Sequence, residues 1–192
     1  MKTAPTPPTG AAHNPFRSER VTSLPFISQG VAWEESLQKL EALSWRGAIV
    51  GPCGTGKTTL LEKLALELES RGLKVDCIRF EPSPRPWPKT LWKLREASDA
   101  LLIDGIDQLP PLAWWRLQNR TRRAGALVAT SHREGRLATW LKTSTSPSLL
   151  KRLCTDLGAE ISDAEIARVF EANQGNLRLC LLEFYDRARR SP

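Results

Sequence analysis

The sequence contains one methionine, one tyrosine, two histidines and four cysteines in 192 residues. Cys53, Cys77, Cys154 and Cys180 lack C-x-x-C spacing, and His13 and His132 stand alone in the sequence. That pattern argues against a zinc site and against a disulfide framework. No apolar stretch approaches the roughly 20 residues that a membrane span requires, and the first residues carry no hydrophobic signal core. A cytoplasmic protein without a membrane partner is expected. The length leaves no room for two enzymes, since one domain takes roughly 100–200 residues.

What is present is ordinary in bulk: 41% hydrophobic and 26% charged residues, enough to bury a core. Lys and Arg number 28 against 21 Asp and Glu, giving a formal charge of +7 and a pI of about 9.6. The excess is local. Between Asp107 and Asp156 stand Arg116, Arg120, Arg122, Arg123, Arg133, Arg136, Lys142, Lys151 and Arg152 against the single acid Glu134. The rest of the chain is close to neutral, so the charge permits an anionic partner without naming one. The seven tryptophans (Trp33, Trp45, Trp87, Trp92, Trp114, Trp115 and Trp140) show no period and are assigned mainly to core or interface packing.

Residues 1–15, rich in Pro, Thr and Ala, are expected to form a flexible tail. A preamble follows, with Phe16, Val21, Leu24 and Phe26 before an amphipathic helix near Glu34–Leu43. The run from Gly47 to Gly51 suits a buried strand, and Leu60, Leu61, Leu64, Ala65 and Leu68 recur at helical spacing over Thr58–Ser70. Leu73–Phe80 forms a second expected strand, followed by a loop with prolines at 82, 84, 86 and 88 and a short helix over Thr90–Ala97. Ala100–Asp104 is a third strand, and Pro110 and Pro111 open a helix ending near Gly125. Ala126–Thr130 and Leu137–Thr143 complete five strands. Strands alternating with helices imply a mostly parallel sheet covered on both faces.

From Ser146 onwards only helices are expected. Ser146-Pro147 is an N-cap and first-turn pair, Ser162 to Glu165 a capping box, and Asn176–Arg190 a third helix. The chain thus divides into a tail over 1–15, an α/β core with its preamble over 16–145, and a small three-helix subdomain over 146–190.

Gly51-Pro52-Cys53-Gly54-Thr55-Gly56-Lys57-Thr58 fits G-x-x-x-x-G-K-(S/T) in full, between an expected strand and an expected helix. This context is the one that phosphate binding requires. The loop turns backbone N–H groups inward, the helix N-terminus adds partial positive charge, Lys57 reaches the outer phosphates and Thr58 offers a hydroxyl to Mg²⁺. Thr59 continues the cradle in the helix's first turn.

On these residues the chain resembles the P-loop NTPases over about 45–145. The resemblance implies a three-layer α/β sandwich with a second acidic motif at a strand end, and Leu101-Leu-Ile-Asp104 fits that motif. Asp104 would then hold Mg²⁺, which prefers oxygen ligands; an ordinary turn-capping role is the alternative. The presence of Leu73–Phe80 between the phosphate-loop strand and the Asp104 strand resembles the ASCE division, in which an extra strand is inserted between those two.

Within that division, AAA+ proteins place a catalytic Glu directly after the Mg²⁺ aspartate, where this chain has Gly105. Asp104-Gly-Ile-Asp107-Gln108 is closer to the D-G-x-D-E run of STAND-type NTPases. Asp107 is then the candidate to orient water, with a cap on the Pro110 helix region as the alternative. Ala129-Thr130-Ser131-His132 is similar to the AAA+ sensor-1 position, with Thr130 or Ser131 facing the terminal phosphate. Gly175-Asn176-Leu177-Arg178 resembles the sensor-2 motif, in which Arg178 would fold over the phosphates from a helical lid. Guanine is disfavoured because N-K-x-D is missing, so ATP is the expected nucleotide.

The resemblance implies an ATPase or nucleotide-dependent switch acting through self-assembly or on a partner. A P-loop small-molecule kinase and a nucleic-acid-binding protein that does not hydrolyse its nucleotide remain as alternatives. The Trp- and Arg-rich segment 114–123 fits a subunit interface, a nucleic-acid surface or a solvated helix face. Arg133 or Arg136 is placed like an arginine finger.

Overall fold

The computed structural model describes residues 14–27, 32–80, 98–121 and 125–190. The tail up to residue 13, the proline-rich loop with the helix expected over Thr90–Ala97, Trp87, Trp92, Arg122 and Arg123 all lie outside the described residues.

The chain forms two compact units, one of residues 25–144 and the other of residues up to 24 together with 145 onwards. The larger unit contains α2 (Trp33–Ala42), β1 (Arg46–Val50), α3 (Lys57–Ser70), β2 (Val75–Arg79), β3 (Ala100–Asp104), a short 3₁₀ turn (Ile106–Gln108), α4 (Pro111–Arg120), β4 (Ala126–Ser131) and β5 (Thr139–Lys142). Its five strands make one sheet in the order β2-β3-β4-β1-β5, with every pairing parallel.

Alternation along the central strands builds three layers. Ala100 and Leu102 of β3, with Ala126 and Val128 of β4, face a core shared with Leu37 and Leu40 of α2 and Leu60, Leu61, Leu64 and Leu68 of α3. Leu101, Ile103, Leu127 and Ala129 face the other way, onto Ala113, Trp114 and Leu117 of α4. Both sheet faces are covered, which explains why these strands are continuous apolar runs rather than alternating ones. Trp140, fully buried, donates its indole N–H to Ser36 O at 2.6 Å and so joins β5 to α2.

The strand inserted between the phosphate-loop strand and the Asp104 strand is β4. The Leu73–Phe80 segment, as β2, takes the sheet edge instead. Chain order and sheet order differ because parallel neighbours require crossovers, and the crossover after β1 passes over two positions before the sheet is filled back.

The second unit holds α1 (Ser18–Thr22), α5 (Pro147–Asp156), α6 (Asp163–Ala172) and α7 (Leu177–Arg190). Ser146 and Ser162 cap α5 and α6, accepting from the amides of Leu149 and Glu165 as their sequence positions predict. A core of Leu150, Cys154, Leu157, Ile166, Val169, Cys180, Leu181 and Phe184 packs the three longer helices together. Phe16 belongs to this core, its ring centroid 5.5 Å from that of Phe184, with Val21 and Leu24 beside it. Asn14 donates to Tyr185 O at 2.9 Å. Residues 14–24, assigned from sequence to the tail and to the α/β core, pack instead with the C-terminal helices. Their apolar side chains complete a core that three short helices alone would leave open. No described helix is long and apolar enough to cross a membrane.

Candidate functional site

In a parallel sheet the carboxyl ends of all strands lie on one edge, and here that edge gathers Val50, Asp104, Ser131 and Lys142. Ligands of open α/β sheets bind at this edge, where neighbouring strands send their chains to opposite faces. The loop from Gly51 to Gly56 leaves β1 there and enters α3.

Gly51 is fixed by close approach: its N–H donates to Ser131 O at 3.1 Å, and an added Cβ would lie 2.6 Å from Thr143 O. Thr55 donates to Pro52 O at 2.9 Å and shares a hydrogen bond of 2.6 Å with Thr143 Oγ1, which braces the turn. Gly54 and the N-cap Gly56 are left-handed, and Gly56 offers α3 no side-chain cap. The first intrahelical bond runs from Leu60 N to Gly56 O. The amides of Lys57, Thr58 and Thr59 therefore have no carbonyl partner within the helix, at the end where an anion is favoured.

Lys57 is buried, with Nζ donating to Gly51 O and Pro52 O at 2.6 Å each. Burial holds its pKa below the ordinary lysine value, against the opposing pull of Cys53, Asp104 and Asp107. A buried ammonium at an uncapped helix start is a fit for phosphate, whose charge would offset that desolvation.

The other half of the site is a chain of hydroxyls on a carboxylate. Thr58 donates to Asp104 Oδ2 at 2.9 Å, Thr130 donates to Asp104 Oδ1 at 2.6 Å, and Gly105 N donates to Thr130 Oγ1 at 2.8 Å. A hydroxyl and a carboxylate side by side form an oxygen set suited to Mg²⁺, which takes few protein ligands and keeps waters.

Asp107 does not cap α4, whose N-cap Pro110 has no side-chain cap. Its two oxygens accept from the end of β4 instead: Oδ1 from Ser131 Oγ at 2.9 Å, and Oδ2 from His132 N at 2.5 Å. Arg136 donates to Ile106 O and Leu109 O at 2.5 and 2.6 Å, with its guanidinium 5.9 Å from the Trp114 ring centroid. It thus fastens the 3₁₀ turn of its own unit, whereas Arg133 is exposed. Arg178 is exposed in the first turn of α7, in the helical unit.

Two further side chains reach the site. Arg79, opposite Asp104 in the β2–β3 register, pairs with Asp104 Oδ2 at 3.1 Å and with Glu62 at 3.3 Å. His132 places Nδ1 3.4 Å from Lys57 Nζ and Nε2 3.8 Å from Cys53 Sγ. Strand register would have signalled the first; the second ends the Ala129–His132 run, in which Thr130 or Ser131 is the expected phosphate-facing residue.

The parallel β2-β3-β4-β1-β5 sheet, with helices on both faces and a small bundle of C-terminal helices, defines an AAA+-type α/β fold. The same fold is found in the AMPPCP-bound DnaA of Aquifex aeolicus, at 20% identity and a TM-score of 0.58, over 81% of this chain and 61% of that one. A DNA replication initiation factor matches at 16% identity and a TM-score of 0.54, over 86% and 65% of the two chains. A point mutant of RuvB from Thermotoga maritima matches at 21% identity and a TM-score of 0.54, over 80% and 61%. The chain therefore spans less than two thirds of the length of each of these proteins. No protein-family model and no curated protein matches the sequence.

Proposed function

We propose that this protein binds ATP with Mg²⁺ at the Gly51–Thr59 loop and works as an ATPase or nucleotide-dependent switch on a partner macromolecule. The observation that carries this is the Thr58–Asp104 hydrogen bond of 2.9 Å beside the uncapped N-terminus of α3. It supports the reading because it sets the glycine-rich loop and the start of α3 beside a hydroxyl and a carboxylate at one strand edge.

The amides of the loop and of the first turn of α3 would hold the phosphates, with Lys57 on the outer ones. Thr58 and Asp104 would hold Mg²⁺, which supplies charge neutralisation on the phosphate oxygens when bound. Thr130, which donates to Asp104 Oδ1, would keep that carboxylate oriented. The likeness in fold to AMPPCP-bound DnaA supports an adenine nucleotide. Self-assembly remains part of the proposal, with Arg133 as the exposed arginine available to a neighbouring subunit.

One surface favours nucleic acid as the partner. Trp115 of α4 is 58% exposed, beside the exposed Arg116, and the segment around them carries the chain's positive excess. Exposed indole and guanidinium groups stack on bases and neutralise phosphates. The fold neighbours include a DNA replication initiation factor.

The test is phosphate release from ATP with no added acceptor, run with size-exclusion chromatography in the presence and absence of nucleotide. Turnover, or a nucleotide-dependent change in assembly, is expected. Failure to bind ATP at all would overturn the proposal. ATP consumption only with an added acceptor would make the protein a kinase, and steeply salt-dependent DNA binding that Trp115→Ala weakens would establish the nucleic-acid partner.

A further inference from the structure

The glycine-rich loop starts between two strands and is tied to both. β1 ends at Val50, in register with Ser131 of β4 on one side and Lys142 of β5 on the other. Towards β4 the tie is made by backbone alone, the Gly51 N–H on Ser131 O at 3.1 Å. Towards β5 it is made by Thr143, the residue directly after the strand, whose amide donates to Val50 O at 2.8 Å. The Thr143 hydroxyl lies so close to Gly51 that an added Cβ there would overlap it. No sequence motif includes Thr143.

The direction of its side-chain hydrogen bond follows from its neighbours. Thr55 uses its one hydroxyl hydrogen on Pro52 O at 2.9 Å, so its oxygen accepts the proton that Thr143 offers at 2.6 Å. Val50 O, to which Thr143 could otherwise donate, is 3.5 Å away. The bonds thus run one way, from Thr143 Oγ1 to Thr55 Oγ1 to Pro52 O. Pro52 O is in turn one of the two carbonyls that hold Lys57 Nζ, with Gly51 O the other. Thr55 and Thr143 are both buried, so water does not readily replace a partner that either loses. A valine would fill the same space without the cost of burying a hydroxyl. What the hydroxyls add is the direction of the Pro52 carbonyl.

We propose that Thr143 is a positioning residue for the phosphate site: through Thr55 it turns the Pro52 carbonyl onto Lys57 and so aims the ammonium at the phosphates. It acts at one remove, touching neither phosphate nor metal. This rests on the nucleotide-binding proposal above, and it adds a residue at the end of β5 to a cradle otherwise drawn from residues 51–59.

The test measures the Mg·ATP affinity of the full chain by titration calorimetry for the wild type, Thr143→Val, Thr143→Ser, Thr143→Ala, Thr55→Val and the variant carrying both valines, with urea unfolding to confirm that each is folded. Valine keeps the shape of threonine and removes the hydroxyl. Each single valine variant should lose several-fold, up to about tenfold, the worth of one buried hydrogen bond. Thr143→Ser keeps the donor and loses the methyl, so it should stay within about twofold of the wild type, a rescue that a packing role would not give. The double variant should bind no worse than Thr55→Val alone, because Thr143 acts through Thr55. Should Thr143→Val fold poorly, Thr143→Ala against Thr143→Ser isolates the same hydroxyl and should show the same loss. Wild-type affinity in Thr143→Val, or an equal loss in Thr143→Val and Thr143→Ser, overturns the proposal, and additive losses in the double variant overturn the route through Thr55. A wild type that does not bind Mg·ATP overturns the nucleotide-binding proposal and this one with it, an outcome distinct from binding that is indifferent to Thr143.

Discussion

The Thr58 hydroxyl donates to Asp104 Oδ2 at 2.9 Å, across 46 positions of sequence, and joins the first turn of α3 to the end of β3. The same oxygen pairs with Arg79 Nε at 3.1 Å, so a guanidinium and a hydroxyl share the atom that a divalent cation would take. Asp104→Ala is expected to retain ATP binding without metal but to lose the tightening that Mg²⁺ gives. Arg79→Ala, by removing the competing charge from a half-exposed pair, should strengthen the Mg²⁺ effect by a few-fold at most, in line with exposed ion pairs of about 1 kcal/mol or less. Titration of ATP with and without Mg²⁺ checks both.

Gly105 stands directly after Asp104, where a glutamate follows in the AAA+ pattern, and its backbone explains why placing a glutamate there should fail. Its φ is +86°, and an added Cβ would lie 3.1 Å from Phe80 O. Gly105→Glu should cost about 1–2 kcal/mol from the left-handed backbone alone, measured by urea unfolding. It should bring no rise in phosphate release, since the strain disturbs the amide that Thr130 accepts.

The two buried thiols make the helical unit sensitive to alkali. Burial pushes Cys154 up to about 12 and Cys180 up to about 11, from an ordinary 9.0, with Cys180 and Glu183 respectively adding to the rise. The unfolded chain releases these protons from about pH 9 while the folded one keeps them. The stability they carry is thus whole below that pH and is lost as pH rises towards 11–12. Denaturant melts followed by circular dichroism should show a downward slope above pH 9 that Cys154→Ala reduces. At about pH 8 a thiol reagent should label the exposed Cys53 and Cys77 and spare Cys154 and Cys180, with ATP protecting Cys53.

Local signals in the sequence were recovered closely. Ser146 and Ser162 cap the helices they were expected to cap because the bond spans only three residues, and Ala100–Asp104 has the expected bounds because a strand buried on both faces is an uninterrupted apolar run. The Gly51–Thr58 loop carries its context with it, strand before and helix after. Relations between distant segments were less legible. The place of β4 between β1 and β3, the packing of Phe16 on Phe184, and the pairing of Arg79 with Asp104 all depend on register and on tertiary packing. Asp107 was picked out by its spacing from Asp104, but the bonds of both its oxygens to the end of β4 are visible only in the geometry.

Lys57 tests the central claim most directly. Its ammonium is buried and held by two loop carbonyls at 2.6 Å, and its position at an uncapped helix N-terminus has no stabilising anion from the described side chains at bonding distance. Calorimetric titration of Mg·ATP into the wild type and Lys57→Ala, with unfolding curves confirming that both are folded, should show binding to the wild type and a loss of at least about tenfold in the variant, the worth of a charged hydrogen bond. Equal ATP affinity in the two proteins would contradict the assignment of the Gly51–Thr59 loop as a phosphate site.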